Sequence, residues 1–441
     1  MFVVQATYSD TRKKDAKNDL FNDHIRIDKA AGSRLYTADG DDYIDLSSQS
    51  AYQLIGHNIK DLQNILADTI HNGQELSNLP SQHPKVSELC EKLSKQLPSH
   101  TQWQIEFTQS DAEAIDYSIK KTYDYWHTKN ETQRRVFLTF AYAHHGTTTS
   151  CINLNASFNN HNPYQDFMVP VEHIPYPDTW HLDQKIELKE SLALKRLNDF
   201  LEENHTKCAG FIMEPLLQTH DGMQACRPTF LNQVIAILRE HQILVISDER
   251  YLSPMRSGRF LACQHLSINP DILVIGNNLT NNMMPLGTVI IDQKIIDQLG
   301  PQAQESKRIN HLACVAANRT VNILENRLNE AHINKLQDIH ARRLRRLNKQ
   351  PIVKNIRYIG SIGAFDIICE DRSKQEQLID WFYQNSTESK LLIQRHAKSI
   401  CISPPLCLTI DDLERAYDII ENILQNMPLQ FIVSSIENDC T

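Results

Sequence analysis

Four polar side chains near the middle of the chain are of types that transfer protons or contact anions. His144 follows the apolar run 136–139, and Asp248, Arg250 and Tyr251 follow a second such run. A histidine, an aspartate and a tyrosine can act as acid or base, and the guanidinium of an arginine contacts anions. These residue types therefore permit an acid–base site, although their spacing does not fix its geometry.

The sequence predicts neither a metal site nor a disulfide framework. His144 and His145 are adjacent, but no third ligand stands at a spacing suitable for zinc. The ten cysteines are scattered and include no Cys-x-x-Cys pair. Scattered thiols of this kind are typical of a cytosolic protein that keeps its cysteines reduced. We therefore expect no bound metal and a cytoplasmic location.

The elements that would position these residues alternate between strands and helices. Short apolar runs predict strands, at 104–107, 136–139, 210–213, 243–246 and 271–275. Helical periodicity separates several of them, at 112–127, 189–204 and 229–241. Buried strands that alternate with helices favour an α/β domain with a largely parallel sheet. Ligands of such sheets bind beyond the carboxyl ends of the strands, where His144 and Asp248 stand.

The two ends of the chain have a different pattern. Residues 25–58 predict a hairpin that turns at Asp39 and Gly40. Towards the C-terminus the sequence predicts one strand at 357–365 and helices at 314–328, 331–349, 372–386 and 410–426. A smaller α+β domain is therefore predicted beside the large one. The predicted divisions are an N-terminal segment that joins the small domain, the large domain, a linking helix and the small domain, at 1–59, 60–305, 306–330 and 331–441.

The overall charge limits the classes of partner. The chain of 441 residues carries a formal net charge of −9, so general binding to nucleic acid or to an anionic membrane is not expected. No apolar stretch approaches the roughly 20 residues of a membrane helix. The basic run 342–346 lies on a predicted helix, where we expect a solvated face or a subunit contact. The chain has 13 glycines, and this scarcity argues against a loop that cradles a phosphate.

Several short motifs occur in an order and at spacings that are specific when taken together. They are Gly56-His57-Asn58, Tyr125-Trp126, His145-Gly146, Glu214-Pro215-Leu216-Leu217-Gln218, Asp248-Glu249, Arg256-Ser257-Gly258, Arg357-Tyr358-Ile359-Gly360-Ser361-Ile362-Gly363 and Pro404-Pro405-Leu406. Through them, residues 30–426 resemble the class III aminotransferases, which depend on pyridoxal phosphate (PLP). Within that family the chain resembles adenosylmethionine-8-amino-7-oxononanoate aminotransferase, the diaminopelargonic acid synthase of biotin synthesis. The resemblance implies the PLP-transferase fold type I, an α/β fold with a mostly parallel sheet in a large domain and a smaller α+β domain.

One replacement concerns the group that carries the reaction in that family. The segment 270–280 resembles the one that supplies a lysine amine for the Schiff base with PLP, and Asn277 stands at the lysine position. An asparagine amide cannot form this imine, because its nitrogen lone pair is delocalised into the carbonyl. The resemblance assigns Asp248 to the pyridine nitrogen of PLP. It places Arg250 where a valine or isoleucine packs on the ring, and a guanidinium there adds bulk and charge.

The expected contacts with the cofactor phosphate are also altered. The resemblance aligns Ser110, Asp111 and Ala112 with a Ser-Gly-Ser turn at a helix start, where backbone N–H groups bind phosphate. Because Asp111 repels a phosphate dianion, we expect it instead to satisfy the free amides at the start of its own helix. His144 replaces an aromatic residue that stacks on the cofactor, and Ser306 falls where a threonine of the neighbouring subunit would contact the phosphate.

The substrate side departs from the family as well. The arginine for the substrate carboxylate maps onto Gln394, with Arg395 one position later, so a shift by one residue would restore it. Asn281 and Asn282 replace a Gly-Gly pair, and we expect both side chains to crowd the loop that admits substrate. The paired tryptophans of the biotin-pathway subgroup fall on residues 50–51, a serine and an alanine, so the apolar wall for a long aliphatic substrate is absent.

Three functions are open from the sequence. The first is a pseudoenzyme that keeps the fold for a binding, structural or regulatory task, with no cofactor expected. The second is a divergent PLP-dependent aminotransferase, with PLP held non-covalently or with Lys294 or Lys307 replacing the missing lysine. The third is an enzyme of different chemistry that uses the four side chains named first. Because family members are usually homodimers, the resemblance implies a homodimer, or a heterodimer with an active paralogue.

Overall fold

The computed structural model describes residues 25–73, 83–98, 101–155, 168–300, 309–369, 371–428 and 431. Its strands are β1 Ile27–Ala31, β2 Arg34–Thr37, β3 Asp42–Asp45, β4 Trp103–Thr108, β5 Val136–Phe140, β6 Val171–Ile174, β7 Cys208–Met213, β8 Leu217–Gln218, β9 Gln224–Ala225, β10 Leu244–Asp248, β11 Ile272–Ile275, β12 Gly287–Asp292, β13 Val353–Ile359, β14 Ile362–Ile367, β15 Leu391–Leu392, β16 Gln394–His396 and β17 Ser399–Ile402. Its helices are α1 Ser48–Ala51, α2 Lys60–His71, α3 Pro84–Lys95, α4 Asp111–Thr128, α5 Ile186–Asn204, α6 Pro228–Glu240, α7 Gln293–Leu299, α8 His311–Asn326, α9 Glu330–Leu347, α10 Arg372–Glu388 and α11 Ile410–Gln425.

The central element is a sheet of seven strands in the order β4-β12-β11-β10-β7-β5-β6. Strand β12 is antiparallel to its neighbours β11 and β4, and the other strands are parallel to one another. Every residue of β7, β10, β11 and β12 is buried. Such continuous burial is typical of a parallel sheet that is covered on both faces. The predicted strands and the mostly parallel α/β architecture are therefore confirmed.

Two four-stranded sheets lie outside the central one. The first joins β1, β2 and β3 to β15, and β2 and β3 form the predicted hairpin around Asp39 and Gly40. The second has the order β13-β14-β17-β16. The single strand predicted at 357–365 is wrong, because the chain turns at Gly360 and returns as β14. Gly360 has a φ of 53°, a left-handed conformation that glycine adopts without a Cβ clash.

The basic run at 342–346 forms ion pairs within the chain. Arg343 of α9 is buried and contacts Glu414, Asp418 and Glu421 of α11. Arg346 lies 2.9 Å from the second carboxylate oxygen of Glu421. The run therefore attaches α9 to α11, and the expectation of a solvated face is wrong for Arg343. Among the described helices, none combines the length and the apolar character that crossing a bilayer requires.

A left-handed turn leads the chain into the candidate site. The residues of α1, Ser48–Ala51, all have positive φ values, between 48° and 70°. This conformation costs L-residues roughly 1–2 kcal/mol each, so other contacts must stabilise it. Asp45 accepts hydrogen bonds from the backbone and the hydroxyl of Ser47, and Arg256 donates to the carbonyl of Ala51. The next residue, Tyr52, is thereby fixed at the site described below.

Candidate functional site

The site lies at the carboxyl ends of the central strands, where Asp248 is the last residue of β10. His145 Nδ1 lies 2.8 Å from Asp248 Oδ2, and His145 Nε2 lies 3.1 Å from Thr139 Oγ1. All three side chains are buried. Burial lowers the pKa of His145 and outweighs the opposing effect of Asp248. The ring is therefore neutral and donates its Nδ1 proton to the carboxylate.

Arg250 takes up the rest of the hydrogen-bonding capacity of that carboxylate. Its Nε lies 2.7 Å from Asp248 Oδ1, and its Nη2 lies 2.6 Å from Asp248 Oδ2. Its backbone N–H also reaches Oδ1, at 3.3 Å. Burial favours the neutral acid, but the charge of Arg250 outweighs it and holds the pKa of Asp248 below its usual range. The carboxylate is thus ionised and saturated with donors, since two oxygens accept about four hydrogen bonds.

Asp111 and Asn277 face each other across the site. Asp111 begins α4, and Asn277 follows β11 and begins a 3-10 turn. The backbone N–H of Asn277 donates to Asp111 Oδ1 at 2.8 Å, and the side-chain oxygen of Asn277 accepts the Leu286 N–H at 2.9 Å. Burial raises the pKa of Asp111 to about 6, against the charge of Arg250 and the Asn277 amide. Asp111 is therefore partly protonated near neutral pH.

Ser110, rather than Asp111, caps the start of α4. Ser110 Oγ accepts a hydrogen bond from the backbone N–H of Glu113 at 3.2 Å. The expectation that Asp111 satisfies the amides of its own helix is therefore wrong. Its carboxylate instead accepts the backbone N–H of Asn277, which follows strand β11. Ala112 follows in the first turn of the helix and is half-buried.

The asparagine pair at 281–282 fixes a loop instead of crowding it. Both residues adopt left-handed conformations, with φ of 53° at Asn281 and 59° at Asn282. Asparagine tolerates this region better than most residues. Asn281 is buried, accepts the Ile55 N–H at 2.8 Å and donates to the Gly56 carbonyl at 2.8 Å. Asn282 is exposed, so the expectation that both side chains crowd the loop is wrong.

Replacing Asn281 with alanine will destabilise the protein by about 2 kcal/mol, because the buried Ile55 N–H loses its acceptor and the Gly56 carbonyl keeps only the Gln53 amide as a donor. The matched control is Asn282→Ala, which changes a residue in the same backbone conformation that makes one exposed hydrogen bond of 3.2 Å to Gln49. We expect the control to lose less than about 1 kcal/mol. Urea denaturation of both variants measures the difference, and equal losses would show that the contacts with residues 55 and 56 contribute little.

Three histidines from separate segments line one side of the site. The rings of His144 and His220 stack with centroids 4.5 Å apart and planes inclined by 17°. His396 of β16 meets His220 edge-on at 6.4 Å. Burial lowers the pKa of both His144 and His396 to about 4, so these two rings are neutral at physiological pH. Among the described residues, no cluster of histidine, cysteine and acidic side chains can hold a metal ion.

Glu214 is buried beside these groups. Its Oε1 accepts the Thr219 hydroxyl at 2.6 Å, and its Oε2 has no hydrogen-bond partner. Burial, reinforced by the charge of Asp248, raises the pKa of Glu214 to about 8. Glu214 therefore carries a proton at neutral pH. His144 Nδ1 and both polar atoms of the Gln218 amide are also buried atoms without a hydrogen-bond partner.

Comparison with known proteins decides the family. Residues 16–424 match the model of the family described as aminotransferase class-III. The chain belongs to the class-III aminotransferases. Adenosylmethionine-8-amino-7-oxononanoate aminotransferase from Synechococcus elongatus is 27% identical over 92% of this chain and 96% of its own length. The protein of that name from Helicobacter pylori is 24% identical over 91% of this chain and 92% of its own.

Solved structures of transaminases share the fold. The PMP-bound form of an aminotransferase from Vibrio fluvialis has a TM-score of 0.81 at 20% identity, over 91% of this chain and 92% of that chain. A cofactor-free transaminase also has a TM-score of 0.81 at 20% identity, over 91% of this chain and 98% of that chain. The predicted family and the predicted PLP-transferase fold type I are therefore confirmed.

Other residues predicted from the class-III resemblance make different contacts. The buried Gln394 donates to the Ser47 carbonyl at 3.1 Å, and Arg395 forms an ion pair with Asp380 of α10. The contact with Asp380 gives Arg395 a structural partner, so the structure offers no support for a shift by one residue. Ser306 and Lys307 lie outside the described residues.

Lys294 and Asn277 lie at opposite ends of the central strands. It follows β12, whose end pairs with the start of β11, whereas Asn277 follows the end of β11. Its side chain is 81% exposed and lies 3.6 Å from Asp292. Lys294 therefore cannot replace the lysine that the class-III resemblance places at Asn277.

The sequence analysis gave Glu214, Gln218 and Tyr52 no role in the candidate site. Glu214 and Gln218 belong to a retained family motif, so a signal for them existed. No sequence pattern points to Tyr52, which reaches the site because of the left-handed turn before it. Burial raises the pKa of Tyr52, whose charged neighbours are Arg250, Asp111, Asp248 and Glu214.

Proposed function

We propose that this class-III aminotransferase-family protein has lost transamination and is a pseudoenzyme, with a binding, structural or regulatory task that does not use PLP. The observation that carries the proposal is the ion pair between Arg250 and Asp248. The family resemblance assigns Asp248 to the pyridine nitrogen of PLP, but both of its oxygens already accept from Arg250. A pyridinium would have to displace a guanidinium from a buried carboxylate.

Asp111 supports the proposal at the position predicted for the cofactor phosphate. Its carboxylate packs against Gly276, where a Cβ atom would lie 2.7 Å from Asp111 Oδ1, and it accepts the Asn277 amide. Asp111 therefore places a carboxylate, held by the Asn277 amide, at the position predicted for the phosphate. Two like charges 4 Å apart repel by about 4 kcal/mol at an effective dielectric constant of about 20.

Asn277 supports the proposal at the position predicted for the lysine. Its side-chain oxygen is held by the Leu286 N–H, and its amide nitrogen is not a nucleophile. The residues at 111, 248 and 277 therefore do not fit PLP in the pose that the family resemblance implies. Lys294 supplies no replacement amine there, because it follows the opposite end of the central strands and is 81% exposed.

Incubation of the purified protein with PLP tests the proposal. We expect no visible absorption band of an imine, no lysine labelled after borohydride reduction, and no transamination when amino donors and keto acids are added. A band that borohydride bleaches, with the label mapped to one lysine, would contradict the proposal. Mapping matters because Lys307 lies outside the described residues.

A divergent aminotransferase related to the biotin-pathway enzyme is the second candidate. It is favoured by the retained contact of 2.8 Å between His145 and Asp248 and by relatives with that enzyme name, one of which is 27% identical. Its distinguishing result is formation of 7,8-diaminopelargonate by the purified protein. The third candidate is an enzyme of different chemistry that uses the four polar side chains at 144, 248, 250 and 251. It is weakened because two of them, Asp248 and Arg250, form an ion pair with each other.

We also propose that the protein forms a homodimer, or a heterodimer with an active paralogue, in the cytoplasm. The support is the class-III family and the described cysteines, which are free thiols. Light scattering on the purified chain, alone and mixed with a paralogue, distinguishes a monomer from the two dimers.

A further inference from the structure

A second cavity, of about 310 Å³, lies at the amino ends of the central strands. Its lining includes Ile243 and Leu244 at the start of β10, and Asp271 directly before β11. The candidate site lies at the other end of β10, where Asp248 is the last residue. Because a strand rises about 3.3 Å per residue, the two ends of β10 lie about 13 Å apart. A ligand of this cavity is therefore separate from the candidate site.

Three cationic side chains from different helices line this cavity. Lys129 directly follows α4, Arg239 belongs to the last turn of α6, and Lys294 belongs to the first turn of α7. Positive charges at the C-terminal ends of α4 and α6 are favoured by the helix dipole. Elements that are distant in sequence thus bring three positive charges to one cavity.

The two acidic side chains of the lining are held by hydrogen bonds within the protein. Asp271 Oδ2 accepts the Val245 N–H at 2.8 Å, and Asp271 Oδ1 accepts from Arg239 at 3.1 Å. Asp292 caps α7, because its Oδ1 accepts the Lys294 N–H at 2.9 Å. Both carboxylates therefore have structural partners. Against three cations they leave the lining with an excess of one positive charge.

The two lysine ammonium groups keep their hydrogen-bonding capacity. Lys129 Nζ lies 3.9 Å from a carboxylate oxygen of Glu131, and Lys294 Nζ lies 3.6 Å from one of Asp292. Both distances are longer than a hydrogen bond. The Lys129 ammonium group also lies 5.3 Å from the centroid of the Tyr125 ring, and its side chain is only 29% exposed. Each ammonium group has three N–H donors that a ligand can use.

The lining of the same cavity also contains apolar side chains. Ile243, Leu244 and Ile295 are buried, and Tyr125 contributes a half-buried aromatic ring. Apolar surface beside a few polar anchors is typical of sites for small organic ligands, whose volumes begin at about 300 Å³. The cavity therefore combines a surplus of positive charge with a surface suited to an apolar group.

We propose that this cavity binds the oxyanion of a small organic molecule, a carboxylate or a phosphate monoester, and that Lys129 and Lys294 donate to it. The apolar body of the ligand lies against the apolar side chains of the lining. Arg239 adds a third positive charge, although its Nη2 already donates to Asp271. The inference goes beyond the proposed function and does not rest on it, because the cavity shares no lining residue with the candidate site.

Other ligand classes match the cavity less well. A cation would face three positive side chains, and the two carboxylates that could attract it already accept from backbone N–H groups. A neutral molecule would leave both lysine ammonium groups without an anionic partner. An inorganic anion would use the charges but would leave the apolar surface in contact with water, which is unfavourable.

Titration calorimetry of the purified protein at low ionic strength tests the inference. The probes are benzoate and phenyl phosphate, with benzyl alcohol, benzylammonium, acetate and inorganic phosphate for comparison. At least one of the two aryl oxyanions should bind about tenfold or more tightly than benzyl alcohol, because the alcohol cannot form charge-assisted hydrogen bonds as an acceptor oxyanion does. Acetate and inorganic phosphate should bind about fivefold or more weakly than the aryl compound with the same anionic group, since they lack the apolar body. Benzylammonium should not bind.

Lysine variants assign the binding to this cavity. Lys129→Gln and Lys294→Gln should each weaken binding of the preferred aryl oxyanion by about fivefold, and the double variant by more. Lys294 is 81% exposed, so its replacement should leave the fold intact. The matched control is Lys195→Gln, which changes a lysine of α5 that lies outside the cavity and pairs with Asp199 at 2.6 Å. The control should bind as the wild type does.

The comparison of benzoate with phenyl phosphate distinguishes a carboxylate ligand from a phosphate ester, and preferential binding of either one supports the inference. Three results would overturn it. They are equal affinity for benzyl alcohol and the aryl oxyanions, no binding of either oxyanion, and wild-type affinity in Lys294→Gln.

Discussion

The variant Asn277→Lys, mixed with excess PLP, should form no stable Schiff base and show no transamination. The new amine would enter a site where Asp111 already accepts the residue 277 amide and Arg250 already pairs with Asp248. Repulsion between Asp111 and a phosphate of about 4 kcal/mol corresponds to a loss of affinity of about 1000-fold. Absorption spectra and borohydride labelling of the Asn277→Lys variant provide the measurement.

Combining Asn277→Lys with Arg250→Val and Asp111→Gly should recover most of that affinity, because the two obstructing charges are removed. The matched control combines Asn277→Lys with Arg259→Val, which removes an exposed arginine that pairs with Glu330 at 3.2 Å. The control should behave like the single variant. If Asn277→Lys alone restores colour and turnover, the loss of the lysine is the whole difference, and our interpretation of Asp111 and Arg250 is wrong.

Arg250→Val should destabilise the folded protein by about 3 kcal/mol at neutral pH. The substitution leaves the buried charge of Asp248 without its cation, and removing one partner of a buried pair is strongly unfavourable. The Arg250 side chain is 11% exposed, so we expect the lower end of the usual range. The loss should be smaller at pH 5 than at pH 8, because at low pH a proton on the Asp248 carboxyl removes the charge that Arg250 no longer balances.

Urea denaturation with two controls measures this effect. Arg259→Val removes an ion pair whose side chains are 51% and 48% exposed, and should cost less than about 1 kcal/mol. Adding Asp248→Asn to Arg250→Val should recover stability, since the unpaired charge is then gone. An Arg250→Val loss no larger than that of the exposed control would show that Asp248 does not depend on the guanidinium.

Most of the fold could be predicted because its signals are local. The central strands are short apolar runs between helical segments, and β10 and β11 lie where those runs predict them. The hairpin of β13 and β14 was missed because the run 357–365 continues across a turn of only two residues, Gly360 and Ser361. The contacts of Arg343 with α11 were missed because a charge pattern does not reveal which helix packs against it.

The sequence could predict which residues form the candidate site, but not the hydrogen bonds that these residues make with one another. The resemblance identified Asp111, Asp248, Arg250 and Asn277, yet the hydrogen bond between Asp111 and Asn277 joins residues 166 positions apart. Sequence also placed Arg250 on the cofactor ring, whereas the side chain folds back onto Asp248 two residues earlier. The unpartnered oxygen of Glu214 follows from how the site is packed, which no motif records.

A crystal structure of the wild-type protein grown with excess PLP would decide whether the cleft still accepts the cofactor. We expect that Arg250 remains hydrogen-bonded to Asp248, that Asp111 still accepts the Asn277 amide, and that no coenzyme occupies the cleft. Density for PLP with its ring nitrogen against Asp248, and with Arg250 displaced, would contradict the proposed loss of the cofactor.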